Sequence, residues 1–265
     1  MSQAREVSLP GVRLLVEAAG EGEPPLLLLH GLASDRRIWD FVWDDLTAER
    51  RAIRYDLRGF GGSVALDDQP FRHSVDLERL LDTLDLERGD LVGVSLGGSV
   101  ALNFALDHPE RVRRLVLISP GMTAWEWSDE WRALWRAIVA AAQTGELDRA
   151  KALWWAHPLF ATTRDLPHAA EKLEQTLRDY SGAVWSEADR EEAALPDLDR
   201  LPFLDVPTLL LTGAADMADF RLVAELIEAA GPEVRRIDYA GAGHMLNLER
   251  PRDVSTEILR FLAGG

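Results

Sequence analysis

Short apolar runs alternate with amphipathic segments along the first half of the 265-residue chain. Strands that are apolar along their whole length are typical of a parallel sheet covered by helices on both faces. The segment SVDLERLLDTLDL at 74–86 instead repeats leucine at helical spacing, which predicts a helix with one buried face. The predicted strands are 12–18, 26–30, 52–56, 90–94 and 114–119, and a second helix is predicted over 96–107. This alternation predicts an α/β fold with a doubly wound sheet.

The alternation stops at Pro120-Gly121 and resumes near residue 205. Only helical patterns occur in between, at about 128–143, 146–156 and 166–180, with a weaker one from 186. The sheet then continues with strands at 207–213 and 234–241 and with helices over Phe220–Ala230 and Pro251–Ala263. The chain is therefore predicted to form one core domain, residues 1–120 and 205–265, interrupted by a helical cap at 121–204.

This predicted cap is rich in tryptophan. It holds seven of the nine tryptophans, and Trp127, Trp131 and Trp135 recur every four residues, which places them on one helix face. Such residues either dock the cap onto the core or line an apolar substrate pocket. Both interpretations stay open, and the candidate substrate-binding residues are Trp125, Trp131, Trp135 and Trp154.

Composition narrows the classes of partner. The chain has 45 acidic and 29 basic residues, so its net charge of −16 repels nucleic acids and anionic membranes. It has no cysteine, which excludes thiolate catalysis and disulfides, and no apolar stretch of about 18 residues. No signal peptide is visible at the N-terminus. We therefore expect a cytoplasmic protein, a monomer or homodimer, that acts on a small molecule.

The sequence Gly93-Val94-Ser95-Leu96-Gly97 lies between a predicted strand and a predicted helix. In that context G-x-S-x-G forms a tight strand-to-helix turn that exposes the serine. Glycines weaken both elements by about 0.5–1 kcal/mol each, but they allow the strand and helix to approach closely. The helix N-terminus then directs unpaired N–H groups towards the electrophile that Ser95 attacks. Ser95 is the predicted nucleophile.

A serine nucleophile needs a base, and the base needs an orienting acid. His244 follows a predicted strand in the glycine-rich loop AGAGHMLNLERP and is the predicted base. Asp216, three residues beyond the strand that ends at Gly213, is the predicted acid, with Asp219 as the alternative. Structural roles are expected for the other histidines, His30, His73, His108, His157 and His168.

Two backbone N–H groups are candidates for an oxyanion hole, those of Leu32 and Leu96. Leu32 follows the His30-Gly31 turn at a strand end, and one such donor is worth about 2.7–4 kcal/mol in a transition state. Asp56 in YDLRGFGGS is a possible nucleophile or acid, but a role in bracing its loop together with Arg58 is preferred. The chain has no GxxxxGK[ST] or HExxH motif, so we expect neither a cofactor nor a metal.

These motifs resemble the α/β-hydrolase fold family over nearly the whole chain: HG at 30–31, DLRGFGGS at 56–63, GVSLGG at 93–98 and GAGHMLNLERP at 241–251. The resemblance implies an eight-stranded, mostly parallel sheet with a helical cap inserted after the sixth strand. The order Ser95, Asp216, His244 is similar to the chain order of that family. The details of HGLASDRRIW and YDLRGFGGS resemble the serine-nucleophile branch that contains enol-lactonases, small esterases and cofactor-free perhydrolases. A serine at 95 departs from the aspartate nucleophile of haloalkane dehalogenases and epoxide hydrolases.

The expected reaction is hydrolysis of a small to medium ester or lactone through an acyl-Ser95 intermediate. The same triad would also serve carbon–carbon bond hydrolysis or perhydrolysis. A non-enzyme alternative is a ligand-binding sensor built on a hydrolase scaffold.

Overall fold

One sheet contains all the strands of the computed structural model, which describes residues 4–187, 190–192 and 194–264. The strands are β1 (Arg5–Leu9), β2 (Val12–Ala19), β3 (Leu26–Leu29), β4 (Ala52–Tyr55), β5 (Val64–Ala65), β6 (Gly89–Val94), β7 (Val112–Ile118), β8 (Thr208–Gly213) and β9 (Val234–Tyr239). Their spatial order is β1-β2-β4-β3-β6-β7-β8-β9, and the two-residue β5 pairs with β2. Strand β2 pairs antiparallel with β1, β4 and β5, whereas the neighbours in the row β4-β3-β6-β7-β8-β9 pair in parallel. The expected eight-stranded, mostly parallel sheet is confirmed, with β5 as a short addition.

Helices flank this sheet and also fill the segment between β7 and β8. The helices are α1 (Asp40–Glu49), α2 (His73–Thr83), α3 (Leu96–Asp107), α4 (Asp129–Gln143), α5 (Leu147–Trp155), α6 (Ala161–Arg164), α7 (Pro167–Asp179), α8 (Ala183–Ser186), α9 (Ala218–Ala230), α10 (Leu246–Glu249) and α11 (Pro251–Ala263). The five helices α4 to α8 lie between β7, the sixth strand of the eight in chain order, and β8. The boundaries of the cap at 121 and 204 stay a prediction.

The central strands explain why helices are needed on both faces. Every residue of β3, β4, β6 and β8 is buried. Helix α3 packs on β3, β6 and β7, α9 packs on β8 and β9, and α1 packs against α11. Because the parallel strands run in one direction, the loops that follow β3, β6, β8 and β9 meet at one edge of the sheet, where α/β folds bind ligands.

One predicted element is wrong, the weak helix from residue 186. Helix α8 ends at Ser186 and Glu191 forms an isolated bridge with Phe71. The next helical segment of the described residues is a 3₁₀ helix over Leu198–Phe203. That 3₁₀ helix contains Pro202, whose missing N–H is incompatible with a longer helix. Within the described ranges, no helix combines the length and apolar character that crossing a membrane requires.

Candidate active site

Ser95 occupies a sharp turn between β6, which ends at Val94, and α3, which begins at Leu96. Its backbone is strained, with φ 55° and ψ −116°. The neighbouring glycines are required by packing, because a Cβ on Gly93 would lie 2.6 Å from the Gly98 nitrogen and a Cβ on Gly97 would lie 2.7 Å from the His30 carbonyl oxygen. A 3.0 Å hydrogen bond from the Ser95 N–H to the Ile118 carbonyl, at the end of β7, stabilises the turn. The predicted strand-to-helix turn at Ser95 is therefore present in the backbone.

The two N–H groups predicted for an oxyanion hole lie beside this turn. Leu96 is the first residue of α3, so its N–H has no partner within the helix. Leu32 follows Gly31, where an added Cβ would lie 3.4 Å from the Ser95 Cβ. Leu32, Ser95 and Leu96 line the same cavity. All three residues therefore border the same space next to Ser95, and the oxyanion hole stays a prediction.

His244 and Asp216 are brought together by the turns after β9 and β8. The His244 Nδ1 lies 3.0 Å and 3.2 Å from the two Asp216 carboxylate oxygens, and both side chains are buried. Because a carboxylate only accepts hydrogen bonds, Nδ1 carries the proton and the Nε2 lone pair is left as the basic atom. Among the described residues Nε2 has no hydrogen-bond partner, so the Ser95 hydroxyl does not bond to it in this structure.

The alternative acid, Asp219, faces a different partner. It lies in the first turn of α9 and accepts hydrogen bonds from the Ser128 N–H (3.2 Å) and hydroxyl (2.6 Å). Ser128 is the N-cap of α4, so Asp219 joins the helical segment to the core. Asp216 rather than Asp219 contacts the imidazole of His244.

His30 and Asp56 both have structural roles, as expected, but the partner of Asp56 differs from the predicted one. The His30 Nε2 accepts the Leu57 N–H at 2.9 Å, and burial lowers the pKa of this imidazole below its usual value. Asp56 accepts from the Arg36 backbone and guanidinium, both at 2.8 Å. The prediction that Arg58 is its partner is wrong, because Arg58 lies over α2 and forms a two-bond ion pair with Asp76.

A cavity of about 1140 Å³ opens above Ser95 and extends beneath the helical segment. Of the predicted substrate-binding tryptophans, Trp131, Trp135 and Trp154 line it. Trp125, which precedes α4, does not line it, so the prediction is wrong for this residue.

Trp127 and Phe220 also line the cavity, and sequence reasoning did not select them. Trp127 precedes the start of α4 and stacks on Trp131 with ring centroids 4.7 Å apart. The four-residue spacing between Trp127 and Trp131 is a sequence signal that could have identified Trp127 as a cavity residue. Phe220 packs on the His244 ring at 4.3 Å and on Trp131 at 5.6 Å. Nothing local in the sequence indicates this position, since it depends on how α9 lies beside the loop of His244.

Comparisons with known proteins agree with this fold. The chain is 31% identical to the dihydrolipoyllysine-residue acetyltransferase component of the acetoin cleaving system of Pseudomonas putida, over 95% of this chain and 67% of that protein. Its structure is similar to that of carboxylesterase CesB (YbfK) from Bacillus subtilis, with a TM-score of 0.84, 25% identity and coverage of 100% and 93% of the two chains. It is also similar in fold to the enol-lactonase from Burkholderia xenovorans LB400, with a TM-score of 0.85, 22% identity and coverage of 97% and 99%.

A family model described as the alpha/beta hydrolase fold matches residues 24–251, which contain the turn of Ser95, the Asp216–His244 pair and every strand of the sheet from β3 to β9. The chain belongs to the α/β-hydrolase fold family.

Proposed function

We propose that the protein is a serine hydrolase that cleaves small to medium carboxylic esters or lactones through a covalent acyl-Ser95 intermediate. The observation that carries this proposal is the buried Asp216–His244 pair. Among the described residues its Nε2 has no hydrogen-bond partner, and the pair lies at the same edge of the sheet as the half-buried Ser95. Catalytic hydrogen bonds are often long or absent in unliganded enzymes and form when substrate binds. The strained backbone of Ser95 supports the same role, because such strain concentrates at functional sites.

In the proposed mechanism, the His244 Nε2 takes the proton of the Ser95 hydroxyl while Oγ attacks the substrate carbonyl carbon. The N–H groups of Leu32 and Leu96 donate to the oxyanion that forms. When the tetrahedral intermediate collapses, the C–O bond breaks and the protonated His244 gives its proton to the leaving alcohol. Water then attacks the acyl-enzyme with His244 again as the base, and the acid is released while Ser95 recovers its proton.

The cavity supports a substrate that is partly apolar. Trp127, Trp131, Trp135 and Trp154 present flat apolar surfaces, and in this proposal the segment 121–204 is a cap over the ester. The similar structures include a carboxylesterase and an enol-lactonase, which is consistent with an ester or a lactone as substrate. Carbon–carbon bond hydrolysis and perhydrolysis would use the same residues, so a substrate panel must include a β-diketone and an ester with hydrogen peroxide.

The decisive experiment combines labelling with kinetics. A fluorophosphonate probe is expected to form one covalent adduct on Ser95 of the wild-type protein, and Ser95→Ala is expected to abolish it. The same substitution is expected to lower kcat for an aryl ester by about 10⁴-fold or more without unfolding the protein.

Ser99→Ala is the matched control, since Ser99 lies one turn further along α3. This variant should still be labelled. A wild-type protein that forms no adduct would favour the binding-protein alternative, and a labelled Ser95→Ala variant would show that another nucleophile operates.

A further inference from the structure

Glu249 is a buried carboxylate at the end of α10, five residues after His244. No arginine, lysine or histidine among the described residues forms an ion pair with it. A buried charge without a counter-ion is costly unless hydrogen bonds compensate it. Glu249 has three such bonds, all from neutral donors, and they come from two separate parts of the chain.

The first donor belongs to the loop of His244. The Gly243 N–H donates to Glu249 Oε2 at 2.7 Å, directly beside the proposed base. On its other side this loop is fixed to the end of β8, because the Ala215 N–H donates to the Ala242 carbonyl at 2.9 Å. The backbone before His244 is thus held between Glu249 and the turn that carries Asp216.

The other two donors come from α6, between β7 and β8. The hydroxyls of Thr162 and Thr163 donate to Glu249 Oε1 at 2.9 Å and 2.6 Å. The packing is tight, because a Cβ on Gly243 would collide with the Thr162 hydroxyl. The Glu249 carboxylate therefore joins the helical segment that covers the cavity to the backbone of the proposed base.

We propose that Glu249 is a positioning residue that sets the orientation of the His244 imidazole by anchoring the Gly243 N–H, and that Thr162 and Thr163 hold its carboxylate in place. The inference rests on the role of His244 in the proposed function. A displacement of about 1 Å at a reacting group costs about 100-fold in rate, so this anchor affects kcat more than substrate binding.

The test uses Glu249→Leu, which has similar bulk and no acceptor, and Glu249→Gln as the rescuing variant. Glutamine has one carbonyl oxygen for the Gly243 N–H, and its NH₂ group donates to the threonine hydroxyls, which accept hydrogen bonds as well as donate them. We expect Glu249→Leu to lower kcat per titrated site by about 10- to 100-fold with KM unchanged. We expect Glu249→Gln to recover most of that loss. Fluorophosphonate titration gives the number of sites, and the same aryl ester serves throughout.

Asp90→Asn is the control for the loss of a buried carboxylate, since Asp90 pairs with Arg113 at the opposite end of β6. It should lower the unfolding temperature and leave kcat per site unchanged. If Glu249→Leu does not fold, the double variant Thr162→Val/Thr163→Val carries the test, with an expected loss of several-fold in kcat.

The inference is overturned if Glu249→Leu keeps kcat per site within twofold of wild type, or if Glu249→Gln is as impaired as Glu249→Leu. Its failure is distinct from failure of the proposed function. A wild-type protein that is labelled on Ser95 upholds that function whatever the Glu249 variants do.

Discussion

The buried position of His73 keeps its imidazole uncharged. Its ring lies between Phe71, at 5.1 Å, and Phe60, at 6.2 Å. Neither ring nitrogen has a hydrogen-bond partner among the described residues, and burial lowers the pKa of this imidazole to about 4. The folded protein therefore keeps His73 uncharged at pH values where an exposed histidine is already protonated.

This arrangement predicts a loss of stability in acid. The unfolded chain takes up a proton at His73 near pH 6.5, whereas the folded protein does so only near pH 4. The free energy of unfolding should therefore fall as the pH drops from about 6.5 towards 4. His73→Phe removes this contribution, so urea titrations at pH 7.5 and 5.0 should show a smaller decrease for the variant. Equal decreases in the two proteins would contradict the prediction.

For single residues, short sequence motifs predict the candidate site better than composition does. Ser95, Asp216 and His244 were selected because each follows a predicted strand, and the structure places the last two in contact. The partner of Asp56 was not predictable, because arginines occur both before and after it in the chain. Only the packing of α2 on the sheet shows that Arg58 is already paired with Asp76.

At the scale of elements, the contact between β3 and α3 limits which side chains α3 can carry. In a helix, alanine is favoured over glycine by about 1 kcal/mol, so Gly97→Ala would stabilise α3 in isolation. Here the new Cβ would overlap the carbonyl of Leu29 on β3 and lie 2.7 Å from that of His30.

Because both obstacles are backbone atoms, we expect the collision to exceed the gain in helix propensity. Gly97→Ala should lower the free energy of unfolding by on the order of 1–3 kcal/mol, measured in urea. A variant as stable as the wild type would show that β3 and α3 can separate without cost.

Sequence patterns identified the buried elements and missed the peripheral ones. The strands β3, β4, β6 and β8 are buried throughout, and their mostly apolar sequences are the reason that sequence patterns predict them. Strands β1 and β5 and helix α1 were not predicted. Strand β1 is partly exposed, β5 has two residues, and α1 buries only three side chains, so none has a long enough apolar pattern.

At the scale of the whole molecule, the helical segment between β7 and β8 forms part of the cavity wall. Trp135 lines that cavity, whereas Trp125, from the same segment, does not. Trp135→Ala should therefore raise kcat/KM for an octanoate ester relative to an acetate ester by about tenfold, since extra methylene groups gain room. Trp125→Ala is the matched control and should leave the ratio unchanged. An unchanged ratio in Trp135→Ala would show that the longer acyl chain lies elsewhere.

The orientation of this segment was beyond sequence analysis. The four-residue spacing of the tryptophans predicts a common face but does not say which way that face points. The direction follows from long-range contacts, such as that between Ser128 and Asp219 and that between Trp131 and Phe220.

A second backbone hydrogen bond, besides the one from the Ser95 N–H to Ile118, fixes the turn of Ser95. The Ser95 carbonyl accepts the Gly121 N–H at 3.1 Å, and a Cβ on Gly98 would lie 2.9 Å from the Pro120 ring. The segment that follows β7 therefore directly contacts the turn of Ser95. Chimaeras that exchange the covering helices between relatives should place their first junction after Gly121, so that Pro120 and Gly121 are inherited with the scaffold and not with the graft.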